Sequence, residues 1–145
     1  MTALMCAAKR GDASCVELLL PVSDAMSKDI KGVTALMWAA VHGSSDCVQL
    51  LLPVGDALEK DNNGMTALMS AAFHGNFSCV ELLLPASDAL EKDNYGVTAS
   101  DRARVGGHSL LGALIDAYAL ALSERSDLRS STGPGKQQKS SSLRV

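Results

Sequence analysis

Cys15, Cys47 and Cys79 stand 32 residues apart, and so do His42 and His74. Thiols and imidazoles are the groups that hold zinc, form disulfides or pair as nucleophile and base. Two aspartate triplets keep the same interval: Asp24, Asp56 and Asp88, then Asp29, Asp61 and Asp93. A residue that returns at a fixed interval belongs to a module, and neighbouring layers of packed helices lie roughly 8–10 Å apart. Zinc ligands must converge within about 2.3 Å of one ion, and a disulfide needs Cα atoms roughly 4.4–6.8 Å apart. Cysteines in register therefore do neither and read as small buried hydrophobic groups. Cys6 lies off that register, aligned with Trp38, Ser70 and Arg102, and is the one thiol to test for reactivity. His42 and His74 each precede a turn glycine and read as polar residues helping the last carbonyls of a helix. A catalytic Cys–His pair needs a cleft and an orienting third group, and nothing outside the repeated positions supplies them. The aspartates lack the alternating Asp/Asn ligand loop of a calcium site and read as turn formers. GPGK at Gly133–Lys136 lacks the spacing, the following hydroxyl residue and the preceding strand of a phosphate loop. No catalytic residue, metal site or cofactor is expected.

The elements behind these residues follow from the same period. TALM occurs at Thr2–Met5, Thr34–Met37 and Thr66–Met69, with a decayed TASD at Thr98–Asp101. Units 2–33, 34–65 and 66–97 are complete, and 98–122 is a partial, capping unit. Each threonine can cap a helix N-terminus; an Ala-rich run follows, and alanine lets helices form readily and approach closely. Gly11, Gly43, Gly75 and Gly107 then end the first helix. Asp12, Ser44, Asn76 and His108 come next, the first three being strong caps for a second helix, which carries SCVELLL, DCVQLLL, SCVELLL and LLGALID. Pro21, Pro53 and Pro85 stop that helix because proline cannot continue the backbone ladder. A polar segment ending in Gly32, Gly64 or Gly96 leads to the next threonine as a tight turn. One such unit cannot bury its apolar face alone, whereas stacked neighbours can. The expected fold is an all-α solenoid of helix-turn-helix units joined by extended β-turn loops, occupying residues 1–122.

The chain resembles the ankyrin-repeat family. GVTALMWAAVHGS at Gly32–Ser44 and GMTALMSAAFHGN at Gly64–Asn76 follow its G-x-T-P-L-H-x-A-A-x-x-G-H core, and Leu18–Leu20, Leu50–Leu52 and Leu82–Leu84 supply its triple leucine. Alanine stands in place of the family proline, and Met5, Met37 and Met69 in place of its histidine, so the usual Thr–His bonding is lost. Met26, Leu58 and Leu90 sit where many members place an asparagine that bridges successive turns. The resemblance implies a non-enzymatic scaffold or adaptor that binds another protein on a concave face made of turn tips and first helices. The residues that break the repeat there are Ile30, Lys31, Val33, Trp38, Val41, His42, Asn62, Asn63, Met65, Ser70, Phe73, His74, Asn94 and Tyr95. Trp38, Phe73 and Tyr95 are the expected anchors, since aromatic residues are frequent hot spots. Phe77 is expected to pack locally.

The two ends differ. The fourth unit places Ser100, Asp101, Arg102 and Arg104 where other copies are largely apolar, the polar face a terminal unit needs. The first shows no such change and predicts an exposed apolar edge around Leu4, Met5, Leu18 and Leu19, which implies either self-association through it or a truncated start. A regulatory or targeting fragment of a larger enzyme, such as a kinase, is the alternative reading. Residues 1–122 carry 8 Lys/Arg against 14 Asp/Glu, a poor match to a phosphate backbone, so no nucleic acid is expected. No apolar stretch is long enough for a membrane span. Absence of a visible secretory signal and four cysteines point to a cytoplasmic location, with the nucleus still open. Residues 123–145 are rich in Ser, Lys, Gln and Gly, and are expected to be a disordered tail, with Ser140–Ser142 as a phosphorylation candidate.

Overall fold

The computed structural model describes residues 1–131, with side chains to Arg125. Four helix pairs follow one another: α1 (Ala3–Arg10) and α2 (Ala13–Leu19), α3 (Ala35–Val41) and α4 (Ser45–Leu51), α5 (Ala67–Phe73) and α6 (Phe77–Leu83), α7 (Ala99–Val105) and α8 (Ser109–Ser131). Among the described residues there is no strand, and the fold is all-α. The first helices stack as α1, α3, α5, α7, the second as α2, α4, α6, and equivalent residues of adjacent copies are neighbours.

Local chemistry explains the boundaries. The hydroxyls of Thr2, Thr34, Thr66 and Thr98 accept from the backbone N–H three residues on, at 3.2, 3.3, 3.3 and 3.4 Å. Helices α2 and α6 stop two residues before Pro21 and Pro85, and their last turns tighten into short 3-10 segments at Leu20–Val22 and Leu84–Ala86. Asp12 caps α2 by accepting from the Cys15 N–H at 3.1 Å. Asn76 takes the same position on α6 without a local cap bond. Its amide donates instead to the carbonyls of Ala40 and Val41 at the end of α3 in the preceding copy, at 2.7 and 3.1 Å.

Each loop is organised by two carboxylates: Asp24, Asp56 and Asp88 accept from the N–H two residues on, at 2.9, 2.9 and 3.0 Å, and a second aspartate holds the tip. Asp29 Oδ1 accepts from Lys31 and Val33 N–H at 2.9 and 3.0 Å, and Asp61 and Asp93 repeat the arrangement. Successive loops are tied together: Asn62 donates to Ile30 O, and Asn94 to Asn62 O, each at 3.0 Å. The bridging asparagine of the family is thus supplied by Asn62 and Asn94, at a different position from Leu58 and Leu90. Lys28 pairs with Glu59 at 2.8 Å and Lys60 with Glu91 at 3.1 Å, one copy apart. Gly32 has φ 78°, and a Cβ there would come within 2.6 Å of Asn62 Oδ1, so a side chain would push the two loops apart.

The core has a direction. Met5 is fully buried although no copy precedes it, whereas Asp101, at the same position in the last copy, is exposed. This position therefore faces the following copy. Ala3, Cys15 and Leu18 behave in the opposite way: they are exposed, while Ala35, Ala67, Cys47 and Cys79 are buried and Leu50 and Leu82 half-buried. Those positions face the preceding copy. The expected edge around Leu4, Met5, Leu18 and Leu19 is corrected accordingly. Leu4 and Met5 lie in the core, Leu19 is half-buried, Leu18 is 77% exposed, and Cys15, expected to be buried, belongs to the edge.

The C-terminal boundary also moves. Helix α8 continues through the expected tail start at residue 123 as far as Ser131. Residues 119–131 are rich in Ala, Leu, Glu and Arg, good helix formers, and no glycine or proline intervenes before Gly133. The rest of the tail, with GPGK and Ser140–Ser142, lies outside the described residues.

Candidate partner-binding surface

The proposed surface comprises three loop tips and the exposed side of α1, α3, α5 and α7. At the tips, Ile30 is 94% and Tyr95 72% exposed. Their loops are held by the carboxylate bonds of Asp29 and Asp93, so the large side chains stand in water on a fixed backbone. Lys31 and Asn63 are exposed beside them, and Val33 and Met65 half-buried behind. Asn62 and Asn94 are exposed, but their amides are engaged by the neighbouring loop. They are structural ties first.

Trp38 is half-buried and connected on several sides. Its indole N–H donates to Asp29 Oδ2 at 3.2 Å, Lys9 Nζ lies 5.1 Å from the ring centroid, and His42 stacks on it at 5.9 Å. Burial disfavours the charge on Asp29, yet the N–H groups of Val33, Lys31 and Trp38 hold its carboxyl below the ordinary 3.8. Arg102 takes the Trp38 position in the last copy and binds Asp93 through Nε at 2.8 Å and through Nη2. The Asp93 side chain is wholly buried beneath it. Burial again opposes the charge, and the bonds from Arg102, Val97 and Tyr95 outweigh it, leaving the carboxyl below 3.8.

Ser70 is the correction among the candidate residues. It is 6% exposed, a short side chain flanked by the longer Trp38 and Arg102 at the equivalent positions of α3 and α7, and it presents almost nothing to a partner. Val41 and Phe73 are half-buried; His42 and His74 are exposed at the helix ends. His74 Nδ1 lies 2.9 Å from Ser70 O, consistent with a residue that satisfies a helix-end carbonyl. Phe73 meets the His74 ring edge-on at 5.1 Å. Phe77, expected to pack locally, is half exposed and lines a shallow groove with Leu110 and Leu111 of α8.

Two features escaped the sequence reading. Lys9 occupies the repeat position of Val41 and Phe73 and contributes to the same helix face; extending the register to the first copy would have found it. Met26, Leu58 and Leu90 form an exposed apolar row, one residue per loop, and Leu90 continues into a hollow with Ala119 and Leu122 of α8.

The thiols divide between edge and interior. Cys6 and Cys15 are exposed; Cys47 and Cys79 are buried. The hydrogen bond from Cys15 Sγ to Asp12 Oδ2, 3.0 Å, raises the thiol's pKa. Burial, reinforced by Cys47, pushes Cys79 up to about 11. Among the described residues no three His, Cys, Asp or Glu side chains are grouped to hold a metal ion, and no helix is long and apolar enough to cross a membrane.

A family model for ankyrin repeats, taken three copies at a time, matches residues 1–60 and again 54–120. No curated protein matches the chain at a significant level.

Proposed function

The chain belongs to the ankyrin-repeat family, a family of protein–protein interaction modules that is typically non-enzymatic, and from that premise we propose that it is an adaptor gripping a protein partner with its loop tips and first helices. The observation that carries this reading is the pair Ile30 and Tyr95. Both are large, mostly exposed, and mounted on backbones locked by hydrogen bonds. Exposed aromatic and branched side chains on rigid supports lose little conformational entropy when covered, which makes them suitable anchors. Trp38, Phe73, Lys9, Lys31, Val33 and Met65 extend the surface along the concave side.

Quantitative affinity capture should compare the wild type, an Ile30→Asp, Tyr95→Asp double variant, and a Gln49→Ala, Glu81→Ala control on the second helices. Partner recovery is expected to fall at least tenfold in the first variant and to stay at the wild-type level in the control. Equal recovery from all three would reject the choice of face.

The exposed edge of the first copy supports a second contact. Ala3, Cys15 and Leu18 repeat the positions at which Ala35 and Cys47 are buried and Leu50 half-buried between copies. We propose that a second copy of the chain covers them. Leu18→Glu should then shift the sedimentation coefficient toward the monomer, and a wild-type chain that is monomeric at high concentration would exclude the contact.

A further inference from the structure

The repeat position shared by Cys6, Trp38, Ser70 and Arg102 leaves one loop carboxylate oxygen without an intramolecular donor among the described residues and open to solvent. In two copies a long side chain folds back onto the loop aspartate nine residues earlier. Trp38 Nε1 reaches Asp29 Oδ2 at 3.2 Å, and Arg102 Nε reaches Asp93 Oδ2 at 2.8 Å. Between them lies the Asp61 copy. Asp61 Oδ1 accepts from Asn63 and Met65 N–H at 2.8 and 3.0 Å, as its sisters do. The residue nine positions on is Ser70, whose hydroxyl is too short to imitate indole or guanidinium. Among the described residues no hydrogen bond reaches Asp61 Oδ2. Asp61 is half-buried, as Asp29 is, while the Asp93 side chain is wholly covered by Arg102.

We propose that Asp61 Oδ2 is the docking point for an arginine side chain of the protein partner, which reaches it from the solvent side of the loop and completes in trans the bond that the sister copies make in cis. This rests on the adaptor reading above and specifies the partner's chemistry. The molecule itself shows which donors fit, since both are planar N–H groups, and guanidinium adds the charge that a carboxylate pairs with most strongly. An arginine is favoured over a lysine because the ammonium is a compact, strongly hydrated point charge without the planar fork. Arg102 does not repel the newcomer strongly, because its own charge is neutralised by Asp93. The pair occupies the middle of the array, with the exposed Ile30 and Tyr95 tips on the flanking loops.

Isotope-labelled full-length chain titrated with N-acetylarginine amide, and separately with the neutral isostere N-acetylcitrulline amide, tests this by NMR. The expected result is a saturable shift of the Asp61 side-chain carboxyl carbon and of the Trp38 indole N–H. The citrulline derivative should bind at least tenfold more weakly. Ser70→Arg should supply the missing donor in cis and abolish the Asp61 response, while Ser70→Ala retains it. If Ser70→Arg fails to fold, Asp61→Asn serves instead, since its amide oxygen can still accept from Asn63 and Met65. Equal responses at Asp61 and at exposed carboxylates elsewhere, or an unchanged response in Ser70→Arg and Asp61→Asn, would overturn the proposal. Partner capture in the same variants separates the two levels. Binding lost in the tip variant but intact in Ser70→Arg removes the arginine site and leaves the adaptor reading standing. Binding indifferent to every variant removes both.

Discussion

The first and fourth copies share one helical plan and present opposite faces at the two ends of the described array. The first presents Ala3, Cys15 and Leu18, side chains identical in type to those buried or half-buried one copy later. The fourth has exchanged the forward-facing methionine for Asp101, and Arg104 bonds Asp116 of α8 at 2.5 Å. The difference teaches that exposure in a solenoid belongs to the position and its neighbour together. A cysteine is core when a layer precedes it and surface when none does, with no change in its own helix.

The strongest way to break this contrast is one substitution made at two equivalent places. Cys47→Asp puts an uncompensated charge in a fully buried site and should cost roughly 3–5 kcal/mol in denaturant unfolding. Cys15→Asp loses the thiol's bond to Asp12 and sets a like charge beside it in water, and at concentrations where the chain is monomeric it should cost only a small part of that loss. Similar losses would mean that Cys15 is buried in solution, in agreement with a covered first copy.

Next in size is the ion pair at the other end. Arg102→Ala leaves Asp93 buried without its main partner and should cost about 2 kcal/mol near neutral pH. The pH dependence has a definite sign. Because the folded Asp93 carboxyl lies below 3.8, the unfolded chain binds the proton first as pH falls. Its contribution is present above about 3.8 and is lost as pH drops through the folded value. Acid titrations of wild type and Arg102→Ala should therefore differ above pH 4 and converge below it; parallel curves throughout would refute the assignment.

The smallest effect sharpens the comparison through reactivity. Labelling with a thiol reagent at pH 8 should modify Cys6 fastest, then Cys15, whose thiol is stabilised by Asp12, and leave Cys47 and Cys79 until unfolding. A Cys79 that reacts as fast as Cys6 would contradict its burial.

Much of the fold was legible in particular residues. Thr34 announced a helix start and caps it, Pro21 announced a stop, and Asp29 announced a turn and organises it. The candidate surface was legible only in part. Ile30 and Tyr95 are as exposed as their loop positions imply, but Ser70 vanished between longer neighbours, and Asn62 and Asn94 turned out to hold loops together. Asn76 looked like a local cap and donates to the preceding copy instead.

What the chain determined unaided was the period, the helix pair within it and the loop chemistry, since these depend on backbone preferences and on contacts within a few residues. Direction was decided by stacking alone. Whether Leu4, Cys15 or Asp61 meets core, water or an absent donor depends on side chains 32 residues away, and the pattern of a single copy carries no record of which neighbour will cover it.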